Sequence, residues 1–155
     1  MTDYALLKSQ LGALLADEPD ALANAANFVA LLKQALDDVN WLGIYVLRES
    51  GLVLGPFQGL PACVRIPIGK GVCGTAAANR TTLRVHDVHE FPGHIVCDAA
   101  SRSELVVPLL IDEQLVGVLD IDSPSPGRFS AADQAGIEML CQAYCDLQSG
   151  QTGFI

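Results

Sequence analysis

Apolar residues recur every three or four positions between Tyr4 and Leu15, at Leu7, Leu11, Leu14 and Leu15, which predicts a helix. A second helical stripe, Leu22, Ala25, Ala26, Val29, Leu32 and Leu36, follows the start signal Pro19-Asp20. The period changes at Trp41. Trp41 to Leu47 and Leu52 to Phe57 have the composition of strands joined by the turn-like Arg48-Glu49-Ser50-Gly51, and Cys63 to Ile68 reads as a third. Gly71 to Asn79, rich in Gly and Ala, suits one short helix. Two stronger strands, Ser103 to Ile111 and Gln114 to Asp122, flank the tight acidic turn Asp112-Glu113 and should form a central hairpin. Ser130 then reads as the N-cap of a last helix, with Asp133 at its third position, running to about Leu147.

The order α-α-β-β-β-α-β-β-α predicts an α+β fold: a central antiparallel sheet with the N- and C-terminal helices packed on one face. No repeat, low-complexity stretch or linker divides the chain. Val85 to Ser101 is too long and too polar for an ordinary connection, and loops of that length in compact domains are more often functional than idle.

Composition narrows the picture. Mean hydropathy is +0.34, but the longest apolar run, Leu105 to Ile111, contains Pro108 and falls far short of the roughly 18 residues a membrane-spanning helix needs. A domain of 155 residues can bury about 68–70% of the surface its unfolded chain exposes, so neither disulfides nor metals are needed to hold it together. The charge balance, 9 basic against 18 acidic residues and −9 net, with the basic residues scattered singly, argues against nucleic acid and against anionic membranes as partners. The start Met1-Thr2-Asp3-Tyr4 has no basic, then apolar, signal-peptide pattern, so a cytoplasmic location is expected. Thiols are kept reduced there, and five cysteines is an odd number, so the cysteines should be reactive, ligating or simply buried.

Gly69-Lys70-Gly71-Val72-Cys73-Gly74 satisfies G-x-G-x-x-G, but no series of βαβ units follows, which disfavours a dinucleotide fold. The glycines serve either a tight strand-to-helix turn or an anion site at a helix N-terminus. No cysteine pair has C-x-x-C spacing, so a zinc site would have to combine distant cysteines with His86, His89 or His94. Cys97, near His94, Asp98, Ser101 and Arg102, sits in a polar setting that favours its thiolate. Cys141 and Cys145, one helical turn apart beside Met139, Leu140 and Tyr144, read as core residues. Asp120 and Asp122 share one face of a strand whose other face carries Leu119 and Ile121, and Glu104 begins the preceding strand. Clustered carboxylates raise one another's pKa and can keep a proton for donation at neutral pH; a solvated strand end is the alternative. Trp41 and Tyr45 share a strand face and either wall a pocket or pack in the core.

Three segments together resemble the free methionine-(R)-sulfoxide reductase family, which is built on a GAF domain. They are Cys63-Val64-Arg65-Ile66-Pro67-Ile68-Gly69-Lys70-Gly71-Val72-Cys73-Gly74, Pro92 to Glu104 around His94-Ile95-Val96-Cys97-Asp98, and Gly117-Val118-Leu119-Asp120-Ile121-Asp122-Ser123-Pro124. The resemblance implies a GAF-like domain over 1–155, with N-terminal helices over 1–39 and the sheet, active-site loop and C-terminal helix over 40–149. It implies a reductase of free methionine sulfoxide with Cys97 as nucleophile, Cys63 as the main resolving cysteine and Cys73 as an auxiliary one. Thioredoxin would restore the dithiol, and no metal or organic cofactor is implied. Glu104, Asp120 and Asp122 would divide proton donation and ammonium binding. Trp41 and Tyr45 would hold the S-methyl group, and amides around Gly71 and Val72, or in the Cys97 loop, the carboxylate. Related domains often dimerise, so a homodimer is an open expectation. Two rivals use the same frame: a non-catalytic GAF module that binds a small ligand, and a thiol peroxidase or redox sensor that needs the cysteines but not the carboxylates.

Overall fold

The computed structural model describes residues 1–95, 97, 99–150 and 154–155. Helices α1 (Tyr4–Leu15) and α2 (Ala21–Ala35) precede strands β1 (Trp41–Arg48), β2 (Gly51–Gln58) and β3 (Arg65–Ile66). Helix α3 (Gly71–Asn79), β4 (Leu83–Val85) and a short 3-10 turn, Val88–Glu90, follow, then β5 (Ser103–Ile111), β6 (Gln114–Ser123) and α4 (Ala131–Gln148). The strands form one antiparallel sheet in the order β3-β2-β1-β6-β5-β4.

Local chemistry explains the helix starts. Asp3 and Asp20 each accept a backbone N–H three residues on, at 2.9 Å, and Ser130 and Asp133 make a reciprocal capping box at the start of α4. The buried stripe of α2 is Asn24, Ala25, Phe28, Val29 and Leu32, rotated from the predicted one. Leu22 and Ala26 are exposed and so is Leu14 of α1. Phe28 decides the rotation: its ring stacks on Tyr144 of α4 with centroids 4.3 Å apart. The burial of Asn24 is offset by bonds from its amide to Gln148 Oε1 and the Glu18 carbonyl.

The two faces of the sheet are covered differently. Helices α1, α2 and α4 pack with Leu42, Ile44, Leu105, Val107, Leu109, Leu119 and Ile121 in one apolar core, the arrangement expected for the terminal helices. The short helix α3 lies on the opposite face, where Val72, Cys73, Ala76 and Ala77 meet Trp41, Tyr45, Leu52, Val106 and Val118. Two strand expectations are corrected. Cys63 to Ile68 is a strand only over Arg65 and Ile66, with one further bond from the Leu54 N–H of β2 to the Val64 carbonyl, and it ends at Pro67, which has no N–H to donate. Leu83–Val85, which spans the unassigned residues after Asn79 and the first residue of the long segment read as a loop, adds β4 to the sheet edge by pairing with Val106, Leu105 and Glu104. Three residues carry too little alternation to be read as a strand. Among the described residues no helix is long and apolar enough to cross a membrane.

Candidate active site

Strand alternation aims the acidic residues at the α3 side. Leu119 and Ile121 of β6 lie in the helix-side core, while Asp120 and Asp122 line a cleft on the other face. Register pairs Asp122 with Glu104 of β5 on one side and with Trp41 of β1 on the other. Adjacent strands lie about 4.8 Å apart, so the pairing brings the carboxylates together without any loop. The cleft is walled by Trp41, Tyr45, Ile66, His94, Ile95 and Cys97 and floored by Cys73 and the three acids. Trp41 stacks between Tyr45 and Phe57, with centroids 5.8 and 5.4 Å away. Its indole N–H donates to the Leu60 carbonyl and the Tyr45 hydroxyl to the Cys63 carbonyl, which ties both aromatics to the loop before β3.

That loop and the segment after the 3-10 turn meet at a disulfide. Cys63 and Cys97, 34 positions apart in sequence, are bonded with Cα atoms 5.4 Å apart, and both are half-buried. The Cys97 segment is held from both sides: Val88 N–H donates to the Arg102 carbonyl at 2.7 Å, and Arg102 pairs with Asp87 at 2.8 Å. Val96 and Asp98, the latter counted among the polar neighbours of Cys97, lie outside the described residues. Cys73 is a free, buried thiol whose Sγ sits 3.9 Å from Glu104 Oε1. His94 Nε2 approaches the other Glu104 oxygen at 3.8 Å.

Burial sets the protonation of this cluster. Glu104 is 5% and Asp120 6% exposed. Desolvation, with Asp120 and Asp122 nearby, drives Glu104 well above the usual carboxylate range, and desolvation also raises Asp120. Burial likewise pushes the Cys73 thiol up and the His94 imidazole down. These shifts favour a neutral carboxylic acid beside a neutral imidazole at the floor of the cleft, an arrangement suited to proton donation at neutral pH.

A GAF domain model matches residues 20–144. The free methionine-R-sulfoxide reductase of Escherichia coli (strain K12) is 55% identical over 137 residues, which cover 88% of this chain and 83% of that protein. The chain belongs to the free methionine-R-sulfoxide reductase family of GAF-domain proteins. Protein YtsP of Bacillus subtilis (strain 168) is 59% identical over 134 residues, covering 85% of this chain and 82% of that one. The structure of fRMsr of Staphylococcus aureus in complex with substrate superimposes with a TM-score of 0.92 at 49% identity, covering 96% of this chain and 97% of that one.

In this member of the reductase family, the residues to which the resemblance gives a role fall in or against one cleft. Trp41, Tyr45, Gly71, Val72, Cys73, Cys97, Glu104, Asp120 and Asp122 line it, and Cys63 is bonded to Cys97 at its rim. His86 and His89 do not join them: His86 packs near Gly127 and His89 lies 3.6 Å from Asp87. The glycine motif makes a turn here. Gly71 has φ +63°, and a Cβ on Gly74 would collide with the Pro67 carbonyl. Gly71, Val72 and Cys73 of the first turn of α3, whose amides have no acceptor within the helix, nevertheless line the cleft. Pro61, Ala62, Ile66 and Ile95, given no role from the sequence, also line it, as does Ser101, named only as a polar neighbour of Cys97. Ser101 alone had a signal, its place four residues after Cys97; it accepts from the Asn40 amide at 3.2 Å and so braces the β1 end of the cleft.

Proposed function

We propose that the protein reduces free L-methionine (R)-S-oxide to methionine through a thiolate, a sulfenic acid and an intramolecular disulfide. One observation carries this reading: Cys97 lines the same cleft as the acid cluster while lying within disulfide reach of Cys63. The Cys97 thiolate attacks the sulfoxide sulfur, and the oxygen takes a proton from the Glu104–Asp120 pair. Methionine leaves as the oxygen passes to Cys97, giving a sulfenic acid. The Cys63 thiol condenses with it, releasing water and forming the disulfide, and a thioredoxin dithiol returns both sulfurs to thiols. Cys73, buried against Glu104, is an auxiliary thiol.

The free amino acid is favoured by charge. Asp122, at the partly exposed end of the acid cluster, faces the substrate ammonium, and the α3 first-turn amides at Gly71 and Val72 receive its carboxylate. A peptide-bound residue has neither charge and would leave buried carboxylates unpaired. Trp41 and Tyr45 supply an apolar wall for the S-methyl group. The epimer preference is taken from the relatives' names. It is tested by supplying R- and S-sulfoxides of free methionine with thioredoxin, thioredoxin reductase and NADPH: NADPH consumption with the R epimer is expected, and equal rates on both, or none, would overturn the reading. Retained turnover in Cys97→Ser would move the nucleophile elsewhere. The rival redox sensor predicts peroxide oxidation of Cys97 without sulfoxide turnover.

A further inference from the structure

Cys73 of α3, Glu104 of β5 and Asp120 of β6 each present a ligating atom, and these atoms all lie within 4.8 Å of one another. All three residues are buried, and Cys73 stands outside the Cys63–Cys97 disulfide, so the group uses neither cysteine of that bond and is present with it closed. A separate observation points to a cationic occupant. Asp120 Oδ1 is buried, at a residue 6% exposed that lines the cleft, and finds no hydrogen-bond partner outside the cluster, where only Glu104 and Cys73 stand close enough to share a proton with the carboxyl. A buried carboxylate oxygen paired only within its own acidic cluster is costly to ionise, and a cation relieves that cost.

The substrate ammonium is one such cation, but it does not account for the thiol. A sulfur set between two carboxylates is a mixed soft and hard donor set, which suits Zn²⁺ and disfavours Mg²⁺ or Ca²⁺. Zinc bonds of about 2.3 Å to sulfur and about 2.0–2.2 Å to oxygen require the donors to close inward by roughly an ångström from the present spacing. Side-chain rotation at Glu104 and Cys73, now 3.9 Å apart, can supply that. Three protein ligands leave one tetrahedral position open towards the cleft. His94, 3.8 Å from the other Glu104 oxygen, is placed to orient that carboxylate from outside.

We propose that Cys73, Glu104 and Asp120 form a binding site for a divalent transition-metal ion, Zn²⁺ foremost, and that the bound ion excludes methionine sulfoxide. Metal binding stands on the geometry alone, whereas competition with substrate rests on the function proposed above. The ion occupies the Glu104–Asp120 pair that faces and protonates the sulfoxide oxygen, so zinc bound there acts as a competitive brake through groups other than the Cys63–Cys97 pair.

The test uses the oxidised protein, with that disulfide closed and no substrate or reductant, titrated with Co²⁺ as a spectroscopic substitute for zinc. A single equivalent should bind with a near-ultraviolet sulfur-to-cobalt charge-transfer band that Zn²⁺ abolishes. Cys73→Ser should lose the band, and Asp120→Asn should weaken binding by at least about tenfold. Cys141→Ala/Cys145→Ala should retain both. Absence of the band, its persistence in Cys73→Ser, or its loss in the α4 double variant would overturn the site. In turnover assays Zn²⁺ should raise the apparent KM for methionine sulfoxide with kcat unchanged; a fall in kcat alone would overturn competition. If metal-free protein shows no turnover while the cobalt band stands, the reductase reading fails and the metal site survives.

Discussion

On the helix-covered face of the sheet, Leu42, Ile44, Leu105, Leu119 and Ile121 are all at 0% exposure and pack in an apolar core. One position along the same strands, on the α3 face, stand Trp41, Tyr45, Glu104, Asp120 and Asp122. The backbone is common to both, so the difference lies wholly in side chains alternating with a period of two. One face gains stability from burial. The other holds two buried carboxylates whose ionised forms are disfavoured, which lowers stability while creating a cluster that can bind a cation and release a proton. Substitutions on the two faces should therefore separate stability from activity.

The largest effect is expected on the helix face. Phe28 is fully buried and stacked on Tyr144, so Phe28→Ala should cost about 3–5 kcal/mol of unfolding free energy, read by denaturant titration. Its kcat/KM per folded molecule should not change; a selective fall would show that the helix layer shapes the pocket. Asp122→Asn is the opposite case. Removing one partner of a charge pair costs about 2–5 kcal/mol, so kcat/KM should fall by roughly thirtyfold to several-thousandfold while the thermal midpoint stays in place. A midpoint drop on the scale of Phe28→Ala would mean that Asp122 holds the fold rather than the substrate.

Glu104→Gln should move both quantities, in opposite directions. The folded-state pKa of Glu104 is raised, so the wild-type protein keeps its full stability below the unfolded value of about 4.3 and loses some as pH rises towards the folded value. Glutamine does not titrate. The variant should be less active yet more stable by about 1–2 kcal/mol at pH 8, with the gain fading as pH falls to about 4. Equal stability at both pH values would place an ionised Glu104 in the folded protein, well paired, and would remove it as the proton donor.

The same period of two made much of this legible in advance. Leu119-Asp120-Ile121-Asp122 shows its two faces in the sequence, and Ser130 with Asp133 announces the α4 capping box that forms. What could not be read depends on partners distant in the chain. β4 is a strand only because β5 lies beside it, and β3 is cut short by Pro67. Phe28 outranks Leu22 because Tyr144 waits across the core. The junction of Cys63, Cys97 and the acids was implied by the family resemblance, since spacing alone joined none of them. The contact of His94 with Glu104 likewise spans the gap between a loop and a strand.

The smallest effect sharpens the contrast between the faces through their cysteines. Cys141 and Cys145 lie in the helix-side core, where burial drives the Cys141 thiol well up and Cys145 to about 12. A thiol held that high is scarcely ionised at neutral pH and is therefore a poor nucleophile. Replacing either with alanine should cost about 1 kcal/mol of stability through lost packing, with sulfoxide turnover unchanged. Brief alkylation of the native, reduced protein should label Cys97 and spare these two until the chain is unfolded, as peptide mass mapping would show. If instead they react as fast as Cys97, or if their replacement slows turnover, redox chemistry would extend through the sheet and the division between its faces would fail.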